Sequence, residues 1–247
     1  MSENIAIHPI SIDNLRVACS TCGLKELCLP LGLTNEEVSR LDSLVSLRRP
    51  FRKGMTAYRA GDPFEALYTV RIGFFKTSVL LEDGRDQVTG FSMAGELLGM
   101  DGIGTDTHTC DAVALEDSEL CVIPFARLEE MSRELPSLQS HFHKVMSREI
   151  VRDHGVMMLL GSMRAEERLA AFLSNLSQRF TARGYSASEF YLRMTREEIG
   201  SYLGLKLETV SRVFSKFQAE GLITVQHKHV RIIDIPRLRH LVAQRPC

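Results

Sequence analysis

Features that would assign the chain to a membrane or secreted class are missing from its sequence. No apolar run approaches the ~20 residues that a membrane-spanning helix requires. The amino-terminal stretch MSENIAIHPISIDNLR lacks the basic patch and following apolar run that are typical of a secretory signal. We therefore expect a cytoplasmic protein with no membrane partner, whose cysteines are reduced rather than joined in disulfides.

The sequence also has no internal repeat, no low-complexity tract and no tryptophan. No candidate nucleophile has an evident histidine and acidic partner, so we predict that the protein is not an enzyme. Its 247 residues suffice for one large domain or two smaller ones, and a hydrophobic fraction of 44% excludes wholesale disorder.

Charge is unevenly distributed although the net charge is only −1. Residues 1–163 carry 16 basic and 23 acidic side chains, whereas residues 164–247 carry 14 basic and 8 acidic ones. The balance therefore changes from −7 to +6 along the chain. A basic domain joined to an acidic one suggests a polyanionic partner for the C-terminal third, although a solvated basic face would account for the charge equally well.

Short runs rich in β-branched and aromatic residues, separated by glycines, fill the region from Pro50 to Pro124. Examples are Ala66–Ile72, Phe74–Leu81 and Gln87–Ser92. Strands of this length at regular spacing predict a small antiparallel barrel or jelly roll.

A long helix is predicted from Pro136 to about Arg164, bridging two domains. One face follows alternating steps of four and three residues, as a coiled-coil seam requires. The apolar positions also suit packing against the barrel, but the carboxylates of Glu149 and Asp153 do not. In a parallel homodimer each would face its own copy, which predicts a deliberately weakened dimer seam. The predicted seam residues are Phe142, Met146, Glu149, Asp153, Val156, Leu160 and Met163.

Two helix starts are marked by a capping box, in which Ser or Thr is followed three residues later by Glu. Thr34 with Glu37 predicts a short helix that runs to Leu47. Thr195 with Glu198 predicts a helix of about two turns at the beginning of the strongest local signal.

That signal is the stretch TREEIGSYLGLKLETVSRVFSKFQAEGLI, residues 195–223. Gly204 supplies a tight turn, and a longer helix from Leu207 to Glu220 ends at Gly221, a favoured residue just beyond a helix. Two helices joined by a short glycine-containing turn predict a helix-turn-helix. The following segment TVQHKHVRII predicts two strands around a polar turn, a wing beside the helices.

The amino-terminal end of a recognition helix is where side chains meet DNA base edges. Glu208 suits a cytosine amino group, Arg212 suits guanine and Ser211 suits either, with Thr209 as a further candidate. Candidate phosphate contacts are Lys206, Arg196, Lys216, Lys228 and Arg231. A surface pair between Glu208 and Arg212 is the alternative, but it does not exclude DNA contact. Sequence-specific binding of double-stranded DNA is therefore favoured.

The cysteines are arranged as Cys19-x2-Cys22-x5-Cys28, with Cys121 in the last predicted barrel strand. Three clustered thiolates and a distant fourth can enclose a cubane iron–sulfur cluster, since each iron needs one soft ligand. C-x2-C spacing also serves zinc and redox pairs, but zinc sites more often have two matched pairs. Cys110 competes as fourth ligand, and Cys247 lies at the terminus.

A nucleotide pocket is suggested by Gly95-Glu96-x2-Gly99. A cyclic phosphate would need a cation beside it, and the segment His108-Thr109-Cys110-Asp111 contains no permanently charged basic side chain. We therefore interpret the glycines as turn residues and expect no cyclic nucleotide.

Barrel, long helix and winged helix-turn-helix in this order resemble the CRP/FNR superfamily of bacterial transcription regulators across nearly the full chain. The details resemble its oxygen-responsive FNR type. The matching stretches are C-x2-C-x5-C-x-P from Cys19 to Pro30, ALEDSELCVIPF, AEERLAAFLSNLSQRF and MTREEIGSYLGLKLETVSRVFSKFQ.

The resemblance implies a [4Fe-4S] cluster with the ligands Cys19, Cys22, Cys28 and Cys121, and leaves Cys110 outside the ligand set. Thr109 stands where cyclic-nucleotide-binding relatives carry an arginine. Leu207 stands where cyclic-AMP-binding relatives have a DNA-contacting arginine.

Three residues of the recognition helix, Glu208, Ser211 and Arg212, match the FNR type, which implies a palindromic site with TTGAT-type halves. The resemblance also implies contacts with RNA polymerase through the turn Glu82–Gln87 and loops near Asp117 and Ser186.

The resulting hypothesis is an α+β protein divided into a cysteine-rich segment (residues 1–30), a β-roll or jelly-roll sensor domain (31–135), a dimerisation helix (136–163) and a winged helix-turn-helix domain (164–247). It would act as an oxygen-sensing homodimer that mainly activates, and at some promoters represses, genes of anaerobic metabolism. The alternatives are zinc or thiol redox chemistry at the cysteines, or a cyclic-nucleotide-binding module.

Overall fold

The computed structural model describes residues 19–24, 27–45 and 47–243 of the chain. The fold class is α+β, as predicted, with an N-terminal β-sandwich, a long helix and a C-terminal winged helix-turn-helix. The first 18 residues of the predicted cysteine-rich segment, and Cys247, lie outside the described residues. The division into four segments stays a prediction.

Two four-stranded antiparallel sheets form the β-sandwich, and helix α1 (Asn35–Leu41) precedes them. The strands are β1 (Leu47–Phe51), β2 (Thr56–Tyr58), β3 (Ala66–Ile72), β4 (Phe74–Leu80), β5 (Asp86–Met93), β6 (Leu97–Leu98), β7 (Asp111–Ala114) and β8 (Ser118–Pro124). Their orders in the two sheets are β1-β8-β3-β6 and β2-β7-β4-β5.

The predicted strands are confirmed to within one residue at each end. Strands β4 and β5 pair as a hairpin, in which Leu80 lies opposite Asp86. Gly84 in the turn of this hairpin has a φ of 82°, which favours glycine. Alternating side chains of both sheets enter a shared core, in which Phe75 and Leu120 are fully buried.

The first helix is shorter than predicted, because it ends at Leu41 rather than Leu47. Both hydrogen bonds of its capping box are present, including Glu37 N–H to Thr34 Oγ1 at 3.3 Å. After Leu41 the chain turns so that Leu44 is buried in the core, and Leu47 already pairs with Val122 in the sheet. Tertiary packing and strand pairing therefore override the helical pattern here.

Helices α2 (Phe125–Glu134) and α3 (Pro136–Ser162) follow the sandwich. They are separate because Leu135, which precedes a proline, adopts an extended conformation (ψ 90°). Pro136 opens α3 as predicted, since the first helical position needs no N–H partner. Leu138 of α3 and Leu128 of α2 are buried against the sandwich.

Residues 165–243 form what we call the winged-helix unit. Its elements are α4 (Ala165–Thr181), β9 (Glu189–Tyr191), α5 (Arg196–Leu203), α6 (Leu207–Ala219), β10 (Ile223–Gln226), β11 (His229–Ile232) and α7 (Ile235–Ala243). The three strands form one sheet in the order β10-β11-β9. The predicted helix pair and two-stranded wing are confirmed, whereas the sequence reasoning did not foresee β9 and α7.

The turn between α5 and α6 depends on two glycines. Gly204 has a φ of 62°, which favours glycine. A Cβ on Gly200 would lie only 2.5 Å from the carbonyl oxygen of Leu205, so the turn packs too closely against α5 for any side chain at this position. Backbone contact thereby fixes the path of the turn that leads into α6.

One arginine holds the junction between α3 and the winged-helix unit. The Arg168 guanidinium donates to the carbonyl oxygens of Leu160 (2.7 Å), Met163 (2.9 Å) and Leu203 (2.9 Å). These bonds satisfy carbonyls at the carboxyl ends of α3 and α5, where positive charge is favourable.

The winged-helix unit and the sandwich share one hydrophobic core. The ring of Phe91 in β5 lies 5.2 Å from that of Tyr202 in α5 and 6.0 Å from that of Phe172 in α4. Among the described residues, no helix is long and apolar enough to cross a membrane.

The capping box at α5 provides a first test of this fold. Replacing Thr195 with Ala removes the acceptor of the Glu198 N–H (3.1 Å) and is expected to lower the free energy of unfolding by about 1 kcal/mol. Chemical denaturation followed by circular dichroism measures this change. Thr195→Ser keeps the hydroxyl and should remain within about 0.5 kcal/mol of the wild type; an equal loss in both variants would contradict the capping role.

Candidate metal centre and nucleic-acid interface

The four predicted cysteine ligands line one cavity. Cys19 lies in a 3-10 turn, Cys22 and Cys28 follow in the same segment, and Cys121 enters from strand β8. The rest of the lining is mainly apolar and includes Leu24, Leu29, Leu41, Leu44, Val45 and Ile123. The fold thus brings together thiols from two stretches of chain that are far apart in sequence.

Several contacts hold residues 19–24 and 27–30, which we call the cysteine segment, against the sandwich. The Asp42 carboxylate, just beyond α1, accepts hydrogen bonds from the backbone N–H of Cys19 and from the Ser20 hydroxyl (2.7 Å). The Cys28 thiol lies 3.6 Å from the Thr69 hydroxyl, and Leu29 is buried in the core. The segment is therefore attached at both ends.

Burial dominates the acid–base behaviour of the thiols. It is the main reason that the pKa of Cys19 is raised to about 12 and those of Cys28 and Cys121 to about 11. The thiols also act on one another, since negative charge on Cys28 further raises the pKa of Cys19 and Cys121. A bound cation is needed to hold such groups together as thiolates.

The donor set fits an iron–sulfur cluster. Four soft sulfur ligands surround an apolar space, and Arg48 and Arg71 in its lining can offset negative charge. Arg48 Nε is buried and donates no hydrogen bond in the described part of the chain, although it lies 3.5 Å from Glu119 Oε1. Within residues 19–24, 27–45 and 47–243, no three His, Cys, Asp or Glu side chains converge closely enough for a single metal ion. The four thiols therefore line a common cavity but do not converge on a single atom position.

The remaining described cysteine, Cys110, lies outside this cavity. It is buried in the sandwich core, its thiol is 3.5 Å from Asp101 Oδ2, and burial is the main reason that its pKa is raised to about 12. Cys121, and not Cys110, therefore joins the three clustered cysteines.

A second cavity of about 360 Å³ lies between the sandwich and α3. Its lining includes the carboxylates of Asp101, Glu149 and Asp153. Among the described lining residues the one basic side chain is Arg152, which is already paired with Glu149. This cavity would repel a phosphate.

The base-reading candidates project from the amino-terminal half of α6. Lys206, Glu208, Ser211 and Arg212 are exposed and Thr209 is half-buried, while Val210, Val213, Phe214 and Phe217 on the opposite face are in the core. The Arg212 guanidinium lies 3.4 Å from the Thr209 hydroxyl rather than pairing with Glu208. The reading face is therefore free of strong internal contacts.

The phosphate candidates differ in their surroundings. Lys206 and Arg231 are exposed, whereas the Lys216 ammonium group pairs with Glu166 at 2.6 Å and that of Lys228 donates to a backbone carbonyl oxygen. The Arg196 guanidinium lies over the Phe214 ring, and burial lowers its pKa to about 10. Arg196 thus contributes to packing at the start of α5, and its phosphate contact stays a prediction.

The predicted dimer seam on α3 is only partly available to a partner. Phe142 packs against the sandwich core, and Leu160 and Met163 pack against the winged-helix unit. The Glu149 carboxylate forms a salt bridge with Arg152, which offsets its charge. A helical period shows which residues share a face, but not which neighbour covers that face.

The exposed apolar residues of α3 lie at other positions. Ile150, Val151, Met157 and Met158 are 54%, 66%, 60% and 60% exposed. Asp153 lies among them and is also exposed. One exposed face of α3 again has coiled-coil steps of four, three and four residues, at Met146, Ile150, Asp153 and Met157. It shares Met146 and Asp153 with the predicted seam. Ile150 and Met157 take the places of Glu149 and Val156, each one position further along the chain.

Known proteins match both halves of the chain. Residues 48–134 match the family model of the cyclic nucleotide-binding domain, and residues 167–241 match that of the Crp-like helix-turn-helix domain. A solved structure, FixK2 from Bradyrhizobium japonicum, superposes with a TM-score of 0.76 at 29% identity and covers 82% of this chain and 100% of that chain.

Full-length relatives are regulators of transcription. Over 239 residues the chain is 51% identical to the transcriptional regulatory protein Btr of Bordetella pertussis, covering 97% of this chain and 98% of that protein. It is 42% identical over 239 residues to the fumarate and nitrate reduction regulatory protein of Escherichia coli K12, covering 97% of this chain and 96% of that protein. The chain therefore belongs to the CRP/FNR family of DNA-binding transcription regulators, which are not enzymes.

Proposed function

We propose that this regulator senses oxygen through a [4Fe-4S] cluster bound by Cys19, Cys22, Cys28 and Cys121. With the cluster intact it binds palindromic TTGAT-type DNA sites as a homodimer, mainly activating and at some promoters repressing genes of anaerobic metabolism. The observation that carries the proposal is the shared cavity lined by all four thiols. The name of the Escherichia coli relative supports the metabolic role, since fumarate and nitrate are electron acceptors used in place of oxygen.

When bound, the cluster supplies an inorganic core that oxygen can dismantle. The cysteines would tie residues 19–24 and 27–28 to strand β8. Without that tie the segment is held by Asp42, Thr69 and the burial of Leu29. The state of the cluster would therefore change how firmly the segment rests on the sandwich.

Dimerisation would use the exposed face of α3. Ile150 and Met157 supply apolar area that water would otherwise cover, and Asp153 between them opposes association with a like charge. A symmetric dimer would place its two recognition helices about one DNA turn, ~34 Å, apart. Weak association would make dimerisation the controlled step.

Other partners follow from the exposed surface. We propose the turn Glu82–Gln87 and the loops near Asp117 and Ser186 as contacts for RNA polymerase. Residues Glu82 to Asp86 of this turn are exposed, as are Asp117 and Ser186. The acidic cavity beside α3 is the reason we propose that no cyclic nucleotide binds. A cytoplasmic location follows from the role in transcription.

The sensor is tested by composition and colour. Protein purified without air is expected to be brown, to contain iron and acid-labile sulfide, and to lose its visible absorption in air. Cys121→Ser removes one ligand and should abolish the absorption. Cys110→Ser is the matched control and should retain it, since Cys110 lies outside the cavity. Colourless protein that contains zinc would refute the cluster.

Base reading is tested by Arg212→Ala. Loss of a guanine contact should weaken binding to a TTGAT palindrome by about 1–3 kcal/mol, with a smaller effect on a scrambled duplex. Lys206→Ala removes a phosphate contact and should weaken both duplexes equally. Fluorescence anisotropy at fixed salt measures both. Equal losses on both duplexes for Arg212→Ala would rule out base reading by this residue.

The dimer face is tested by Asp153→Ala. Removing the repelling carboxylate should shift aerobic, cluster-free protein toward dimers in sedimentation velocity experiments. Glu129→Ala removes an exposed carboxylate from α2 and is the matched control. Its sedimentation coefficient should equal that of the wild type. An unchanged sedimentation coefficient for Asp153→Ala would contradict the repulsion.

A further inference from the structure

A buried carboxylate joins the sandwich to the winged-helix unit. Glu96 follows Gly95 in the turn between β5 and β6, and its side chain is 16% exposed. Arg179 Nε lies 3.0 Å from Glu96 Oε1, and Arg183 Nη2 lies 2.7 Å from the same oxygen. Both arginines project from the carboxyl-terminal end of α4 and the turn after it. One carboxylate of the sandwich thus binds two guanidinium groups of the winged-helix unit.

The same arginines also bind the backbone of β5 and of the turn that follows it. Arg179 Nη2 donates to the Phe91 carbonyl oxygen at 2.7 Å, and Arg183 Nε donates to that of Ala94 at 2.6 Å. Arg152 of α3 approaches Glu96 Oε2 to 4.0 Å. The cluster therefore connects the sandwich, α3 and the end of α4 at one point.

Burial by itself would raise the pKa of Glu96, but the guanidinium groups, first that of Arg179, lower it below its usual range. The carboxylate is thus charged at neutral pH. Removing one partner of such a buried, hydrogen-bonded pair leaves the other charge uncompensated, which strongly disfavours the docked arrangement.

The docked arrangement leaves the DNA-reading face free. Along β5, the Val88 N–H donates to the Ser201 hydroxyl at 2.8 Å, and that hydroxyl donates to the Asp86 carbonyl oxygen at 2.8 Å. These contacts use α5, whereas Glu208 and Arg212 of α6 stay exposed. Docking orients the winged-helix unit without covering its recognition helix.

The cysteine segment rests on the same turn. A Cβ added at Gly95 would lie 2.9 Å from Leu27 Cβ, and Gly95 has a φ of 89° that favours glycine. Leu27 is adjacent to Cys28, and Gly95 is adjacent to Glu96. A displacement of the cysteine segment therefore acts directly on the turn that carries Glu96.

We propose that Glu96, Arg179 and Arg183 form a latch that fixes the winged-helix unit relative to the sandwich, and that the cysteine segment, through Leu27 on Gly95, keeps this latch closed. The two recognition helices of a dimer bind one palindrome together only if each is held in a fixed orientation. An undocked winged-helix unit could rotate, and it would lose this rotational freedom on binding DNA. That entropy loss would weaken the complex. The coupling to the cysteines rests on the proposed sensor, whereas the latch itself does not.

The absence of tryptophan allows a direct measurement of docking. Tyr202→Trp, the reporter variant, places a single indole beside Phe91 and Phe172 at the interface. In this background, Glu96→Gln and Arg179→Gln should each shift the emission to longer wavelength and raise quenching by acrylamide. Arg183→Lys keeps a cation but loses the donation to Ala94, so its shift should be smaller. Circular dichroism verifies that each variant is folded.

DNA binding by the full-length chain gives the second readout. Glu96→Gln should weaken binding to a TTGAT palindrome by at least about tenfold, and binding to a single half-site much less. Glu130→Gln, which removes an exposed ion pair with Arg127, is the matched control and should change neither readout. If the wild type shows no preference for the palindrome, the proposed DNA site fails, while the emission still decides whether the latch exists.

The coupling is tested by Leu27→Ala, which leaves the latch residues intact. Added to the reporter variant, it should move the indole emission toward the value measured with Glu96→Gln. Emission that stays at the reporter variant's own value would overturn the coupling. Unchanged emission and unchanged palindrome binding in folded Glu96→Gln would overturn the latch.

Discussion

The structure depends on the packing of one short segment, residues 19–24 and 27–29, against the sheet of the β-sandwich that contains β8. Cys121 is held in β8 between β1 and β3, so its position is determined by the sheet. The three clustered cysteines have no such support, and they reach Cys121 only because Asp42, Thr69 and the buried Leu29 hold their segment in place. The proposed ligand set therefore combines one cysteine fixed within a sheet with three that are held by a few contacts outside it.

The DNA-binding end is held by closer contacts. Backbone contact at Gly200 packs the turn between α5 and α6 against α5, and Arg168 joins the end of α3 to the end of α5. The turn that carries Gly95 and Glu96 contacts Leu27 of the cysteine segment on one side and Arg183 of the winged-helix unit on the other. It therefore connects these two regions of the protein.

The match to the cyclic nucleotide-binding domain identifies the fold of the sandwich, whereas the ligand depends on the side chains of the site. In this chain the cavity beside α3 is lined by Asp101, Glu149 and Asp153. Glu96, one of the residues that first suggested a nucleotide pocket, is bound by Arg179 and Arg183 instead. The sandwich is the same kind of support, but its polar side chains are used for contacts within the protein.

Local features were determined by the sequence alone. The capping boxes at Thr34 and Thr195, the proline that opens α3 and the glycine between α5 and α6 act through contacts within a few residues, so each predicts an element directly. The C-x2-C-x5-C spacing likewise predicts a compact group of thiols.

Tertiary structure decided what depends on distant residues. It ended α1 at Leu41, placed Cys121 rather than Cys110 beside the other thiols, and covered Phe142, Leu160 and Met163 with the protein's own cores. It also joined Glu96 to Arg179 and Arg183, residues more than eighty positions away. Periodicity and spacing describe one element at a time, whereas burial and ion pairing depend on which elements meet, and only the folded chain determines that.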